Sequence, residues 1–311
     1  MVGDLSTEDE TVYSADNGVK YLAHSGFLQY APDNTLLGFE MAGKMGFKSL
    51  ITIPKFTKAT DTEEMVGICL HDDQISRTGL RYTDGSQITS SDPNYSRVIQ
   101  DFTYSELAQF DAGIRKGKVF SSPIPTLEQY FDICMEYEMT PVFSTHPELT
   151  VEQCQYVYNM LHQDKYMKDG HYWLYERLQI KAGGSRIGID DPLSVFGFDI
   201  GGYIFIQPSS FGTADLEYVF TRTQLEEKAQ EAGINVFDKV SVEFFDYSDN
   251  GTDTVEDKIA FAKAFGFTRI SLAPNGNAEE AGFSSEKQRY YIGLGVNSFT
   301  VDYHCSMGLN W

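Results

Sequence analysis

The feature that most constrains this chain is its rhythm. From about residue 20 onward, short apolar runs that read as strands alternate with amphipathic stretches that read as helices. Strand-like runs fall at 21–24, 49–56, 65–70, 142–145, 203–207, 239–245, 268–273 and 298–302. Helical patterns fall at 35–44, 126–139, 151–162, 224–232, 255–265 and 285–294. Short strands joined by helices imply a parallel sheet with crossover connections. At least six such units in 311 residues favour a closed α/β barrel, the (β/α)8 or TIM barrel, as a single domain over 20–311. Residues 1–19 read as an acidic tail, 72–125 as an excursion inserted between a strand and its helix, and 163–200 resist assignment.

Composition narrows the function classes. Lys and Arg number 24 against 45 Asp and Glu, a net charge of −21. Such a chain is repelled by phosphate backbones, so nucleic acid is not an expected partner; a small anion in a locally cationic pocket remains open. No apolar run reaches the ~18–20 residues of a membrane span. The acidic start shows no basic-then-apolar signal pattern, although a mature secreted chain would look the same. Compartment and oligomeric state stay open. Cys69, Cys134, Cys154 and Cys305 lack metal-ligand spacing and read as inert thiols.

In a barrel of this kind chemistry sits at the C-terminal ends of the strands. Those ends carry His24, Ile51 to Thr57, His71, Ser144 to His146, Gln207 to Ser209, Glu243, Pro274-Asn275 and Asp302 to His304. His24 and His71 are the sharpest pair, because one imidazole can take a proton while the other gives one near neutral pH. Asp33, Asp72 and Glu243 are candidate ligands, or else caps and ion-pair residues. A histidine-based metal site from His24, His71, His146 and Asp72 is the weaker alternative; His162 and His171 are expected at the surface.

The motifs around these residues resemble the glycerophosphodiester phosphodiesterase family. His24-Ser25-Gly26 followed by Pro32-Asp33-Asn34-Thr35 is similar to the family's opening His-Arg-Gly and Pro-Glu-Asn-Thr. His71-Asp72 with Arg77-Thr78 is similar to its second His-Asp and Arg-Thr. Glu106-Leu107, Asp111-Ala112-Gly113 and Ile124 to Glu128 look like later landmarks, and Val301-Asp302-Tyr303 like the closing strand. The resemblance is ordered over about 20–130 and returns near 290–304.

The resemblance implies two catalytic histidines, His24 and His71, a phosphodiester substrate, and Mg²⁺ or Ca²⁺ held by three acids. It places Ser25, Asn34, Arg77 and His146 around the substrate. The acids themselves are not matched: their positions hold Ile51, Ile53 and Ser144, and Ser25 replaces the arginine after the first histidine. Hard cations need oxygen ligands, so no metal is expected at that position. If 49–56 is one strand, Ile51, Ile53 and Lys55 share a face, and Lys55 could place an ammonium where the cation is lost.

Two readings follow. One is a degenerate barrel that binds a small phosphodiester or a glycerol-phosphate polymer, or is purely structural. The other is an active metal-independent phosphodiesterase using His24, His71 and Lys55.

Overall fold

A computed structural model describes residues 19–28, 30–145, 149–182, 190–207, 216–246, 253–273 and 285–301. Its centre is a closed barrel of eight parallel strands. In chain order these are β1 (Lys20–His24), β2 (Ser49–Thr52), β3 (Thr140–Thr145), β4 (Gln179–Ala182), β5 (Gly202–Gln207), β6 (Val240–Phe245), β7 (Ile270–Ala273) and β8 (Ser298–Val301). Each pairs with its sequence neighbour, and β8 closes on β1. This is the expected (β/α)8 architecture.

The helices start where the sequence offers caps. The Thr35 hydroxyl accepts the Gly38 N–H at the head of α1 (Leu36–Lys44). Thr126 with Gln129 at α2 (Leu127–Glu136), and Thr150 with Gln153 at α3 (Val151–Leu161), form reciprocal capping boxes. Further helices are α4 (Asp190–Phe196), α5 (Leu216–Glu231), α6 (Val255–Ala264) and α7 (Ser285–Leu294). Outward-facing strand residues such as Ala23, Leu50, Phe143, Phe205, Val242 and Phe299 bury against helix residues such as Phe39, Phe131 and Ile259 in the main core. Tyr130 of α2 ties two strands to that core, donating to the Leu50 carbonyl at 2.6 Å and accepting the Val142 N–H at 3.0 Å.

Inside the barrel, alternation and register stack side chains in layers of four from alternate strands. The lowest layer is Ser49, Gln179, Ser241 and Ser298. Above it lie Leu22, Val142, Ile204 and Ser271, then Ile51, Lys181, Glu243 and Thr300. His24, Ser144 and Ala273 belong to the top layer, at the mouth. Leu22, Ile51, Val142 and Ile204 form their own apolar cluster on the barrel axis.

Two expectations change. The run 49–56 is not one strand: β2 stops at Thr52, and Pro54–Phe56 pairs antiparallel with Gly67–Cys69 in a separate ribbon. The run 65–70 is therefore the return arm of that ribbon and not a barrel strand. The missing barrel strand is β4, inside the stretch that the sequence left unassigned. The excursion accordingly leaves the barrel at Pro54, ahead of residue 72, and builds a satellite core from Ile68, Leu70, Ile75, Leu80, Phe102 and Phe110 among others.

Candidate active site

His24 ends β1, and the chain then makes a tight turn back onto the head of α1. Ser25 takes φ of +61° and Gly26 φ of +110°. A Cβ on Gly26 would lie 2.8 Å from the backbone carbon of Gly38, so only glycine fits this approach. The turn is fastened on both sides. The Ser25 N–H donates to the Ile51 carbonyl at 2.9 Å, and the Asn34 N–H donates to the Ser25 carbonyl at 2.8 Å.

Ser25 and Asn34 are the unusual residues of the mouth. They are 2% and 1% exposed, and both hold positive φ, at 61° and 49°. The Asn34 Oδ1 accepts the Thr52 hydroxyl at 2.8 Å. Its Nδ2 and the Ser25 Oγ, however, are buried without a hydrogen-bond partner among the described residues. Left unmade, such bonds cost about 1–3 kcal/mol each, and strained backbone adds to that. Ser25 and Asn34, joined by the Asn34 N–H to Ser25 carbonyl bond, thus bring two unspent donors together close to His24.

His71 reaches the mouth by a different route. The Leu70 N–H donates to the Ile53 carbonyl at 3.1 Å, so the segment before His71 is tied to the chain just past β2. Both histidine-bearing ends are thus fastened to the Ile51–Ile53 stretch. His71 is half exposed, and its Nδ1 lies 3.2 Å from Asp72 Oδ2. A hydrogen on Nδ1 leaves Nε2 as the proton acceptor, the arrangement a general base needs. Asp72 Oδ1 also stands 3.5 Å from Nη2 of the exposed Arg77.

The other expected residues fall as follows. Lys55 is on the ribbon, beyond the end of the barrel wall, because the break at Ile53-Pro54 removes it from the face of Ile51. It is 4% exposed, and its ammonium pairs with Asp73 at 2.7 Å. Ile51 is fully buried in the axial apolar cluster, and Ser144 is buried at the mouth. His146, Asp302, His304 and Cys305 lie outside the described residues, as do Gln207's neighbours Pro208 and Ser209 and the Pro274-Asn275 pair. His162 is half-buried among Tyr158, Tyr172 and Tyr175, a correction to its expected surface position. His171 is exposed beside Glu176.

The resemblance implies a divalent cation, and the described residues at the expected positions do not make up a carboxylate set for one. The expected ligand positions supply two isoleucines and a serine. The carboxylates nearby are each already engaged by a cation: Asp33 with Arg115, Asp72 with Arg77, Asp73 with Lys55, and Glu243 with Lys181. Among the described residues no group of three or more His, Cys, Asp or Glu comes together to hold a metal. No step is therefore routed through one.

Sequence reasoning missed Lys181 altogether. Its ammonium lies 2.6 Å from Glu243 Oε1 in the layer just below His24 and Ser144, with both residues almost completely buried. Ser271 and Thr300 donate to Glu243 Oε2 at 3.0 and 2.6 Å. Asp111, one of the sequence landmarks, is structural. Burial pushes its carboxyl up, but bonds from Ser121 and the Ile114, Ser122 and Gly113 N–H groups outweigh that and hold it below the ordinary carboxylate range. The three described cysteines are buried and unbridged, and burial raises Cys69 and Cys154 to about 12.

Comparison with known proteins agrees with the motifs. No family model matches the chain. A candidate glycerophosphodiester phosphodiesterase of Bacillus subtilis is 36% identical over 108 residues, 34% of this chain and 37% of that protein. A glycerophosphodiester phosphodiesterase of Caldanaerobacter subterraneus is 28% identical over 113 residues, 36% of this chain and 39% of that protein. The matches span little more than a third of those relatives. In fold the likeness is nearly complete. A phosphodiesterase of Oleispira antarctica, solved with its product sn-glycerol-3-phosphate, superposes with a TM-score of 0.58 at 19% identity, covering 93% of this chain and 95% of that one.

Proposed function

We propose, for a chain that resembles the glycerophosphodiester phosphodiesterases in its motifs and shares their barrel, that its mouth binds a phosphodiester or glycerol-phosphate ligand without efficient hydrolysis. The observation that carries this reading is the pair of buried, unpartnered donors on the strained turn after His24, Ser25 Oγ and Asn34 Nδ2. They suit an oxygen-rich ligand, with the exposed Arg77 able to swing in from the surface.

Hydrolysis needs two things of the mouth. One is proton transfer, which His24 and His71 can supply, a contribution of roughly 10²–10⁴-fold. The other is stabilisation of charge growing on the phosphoryl oxygens, usually the larger effect. Here Lys55 and Lys181 are each neutralised by a carboxylate within hydrogen-bond reach, at 2.7 and 2.6 Å. An ion pair presents a dipole and not a net positive charge, so neither lysine replaces a divalent cation. Binding survives that loss; rapid turnover does not.

The test pairs two measurements on the full chain. Calorimetry with sn-glycerol 3-phosphate is expected to give saturable binding that Ser25→Ala and Asn34→Ala each weaken about tenfold. Turnover of glycerophosphocholine is expected to stay near the uncatalysed level with Mg²⁺, with Ca²⁺ or in EDTA. Metal-stimulated turnover would overturn the proposal. Turnover in EDTA that is lost in His24→Ala, His71→Ala and Lys55→Met would replace it with a metal-independent phosphodiesterase.

A further inference from the structure

The opposite end of the barrel holds a second polar cavity, of about 210 Å³. Its inner wall is the lowest interior layer, Ser49, Gln179, Ser241 and Ser298, and its rim carries Lys20 and Arg269. No acidic residue lines it among the described residues. Neither rim cation has a carboxylate of the described residues within ion-pairing distance. That is notable in a chain where acids outnumber bases 45 to 24.

The hydrogen bonds of the lining sort in the same direction. Asn297 is fully used, its Oδ1 accepting the Ile270 N–H and its Nδ2 donating to the Thr268 carbonyl. Ser271 is spent on Glu243, and Ser241 points at the Tyr203 carbonyl at 3.5 Å. The side chains of Ser49, Gln179 and Ser298, by contrast, make no hydrogen bond among the described residues, and Ser49 is only 5% exposed. Ser49, Gln179 and Ser298 are therefore the lining residues with donors to spare.

We propose that the barrel floor is a binding site for a small tetrahedral oxyanion of the phosphate class, clamped by Lys20 and Arg269 over the hydroxyl of Ser49. Arginine's planar fork meets two oxygens of such an anion at once, while the lysine supplies a compact second charge. The cavity is smaller than the ~300–1,000 Å³ that drug-sized ligands occupy, which limits the occupant to an ion or a very small monoester. The chain's net negative charge does not prevent this, because charges more than about 8–10 Å away are largely screened at physiological salt. The site is independent of the function proposed for the mouth.

Titration of the isotope-labelled full chain with inorganic phosphate, followed by amide shifts at constant ionic strength, tests the site. Saturable shifts are expected at Ser49, Ser241 and Ser298, reproduced by sulfate but not by chloride. Lys20→Met and Arg269→Met should each weaken the affinity at least tenfold, and Arg269→Lys less than Arg269→Met. Both residues are exposed and lack a carboxylate partner among the described residues, so the variants are expected to fold, as an unchanged thermal midpoint without phosphate would verify. Shifts that do not saturate, that chloride reproduces, that are confined to residues around His24, or that persist in both methionine variants would overturn the proposal.

Discussion

The mouth and the floor of this barrel handle charge in opposite ways. At the mouth Lys55, Lys181, Arg77 and Arg115 each face a carboxylate, while the unspent groups are neutral donors, Ser25 Oγ and Asn34 Nδ2. At the floor the hydroxyls sit beneath two cations with no acid of the described residues beside them. In a chain of this type the mouth is where positive charge is expected to be needed. The difference teaches that the number of cations near a site says little about its net charge, because a carboxylate beside each one cancels it.

The strongest way to break this contrast is to uncancel a charge. Glu243→Ala strands the Lys181 ammonium in the barrel interior and is expected to cost about 3–5 kcal/mol in denaturant unfolding. Lys181→Met combined with Glu243→Leu should recover most of that loss, since a buried pair is weakly stabilising against apolar residues of similar size. A single variant costing less than about 1 kcal/mol would mean that the pair is already solvated from the mouth.

Next in size is Asp111, which braces the excursion. Asp111→Ala removes the acceptor of four hydrogen bonds and is expected to cost about 2–4 kcal/mol. The pH sign follows from its lowered folded-state pKa. Its contribution is full above the ordinary carboxylate value and is lost as pH falls through the folded value. The stability gap between wild type and Asp111→Asn should therefore narrow in acid; a gap that widens there contradicts the assignment.

A smaller effect has the opposite sign. Ser25→Gly relieves the positive φ and removes a buried, unpartnered hydroxyl. It is expected to raise stability by about 0.5–1 kcal/mol while weakening ligand binding at the mouth. A loss of stability would show that the hydroxyl is structurally satisfied. Least of all, Lys55→Met should change stability by under about 1 kcal/mol, because the half-exposed Asp73 it leaves behind can turn to water.

The barrel, the capping threonines and the mouth turn were legible because local rules governed them. Thr35, Thr126 and Thr150 each stand one residue ahead of the helix they cap, and the His24-Ser25-Gly26 motif makes the turn that its glycine permits. What stayed illegible depends on partners distant in sequence. The run 49–56 reads as one strand because its apolar character is continuous. Pro54 has no N–H to offer a ladder, and the chain beyond Thr52 pairs with 67–69 instead. The sequence Gln179-Ile180-Lys181-Ala182 hides a barrel strand because its inward positions are polar. Lys181 is buried there beside Glu243, which is 62 residues further along. Whether a buried donor is spent or unspent cannot be read from a sequence at all.

Between the two ends, Leu22, Val142 and Ile204, with Ile51 above them, close the barrel axis with a girdle that holds no acidic or basic group. Ser271, in the same layer, passes beside this girdle: it lines the floor cavity and donates to Glu243, so a polar path runs up to the layer just below His24. An ion bound below is felt above through a medium of low permittivity, which screens poorly, so titration curves recorded at the mouth should shift when the floor is occupied.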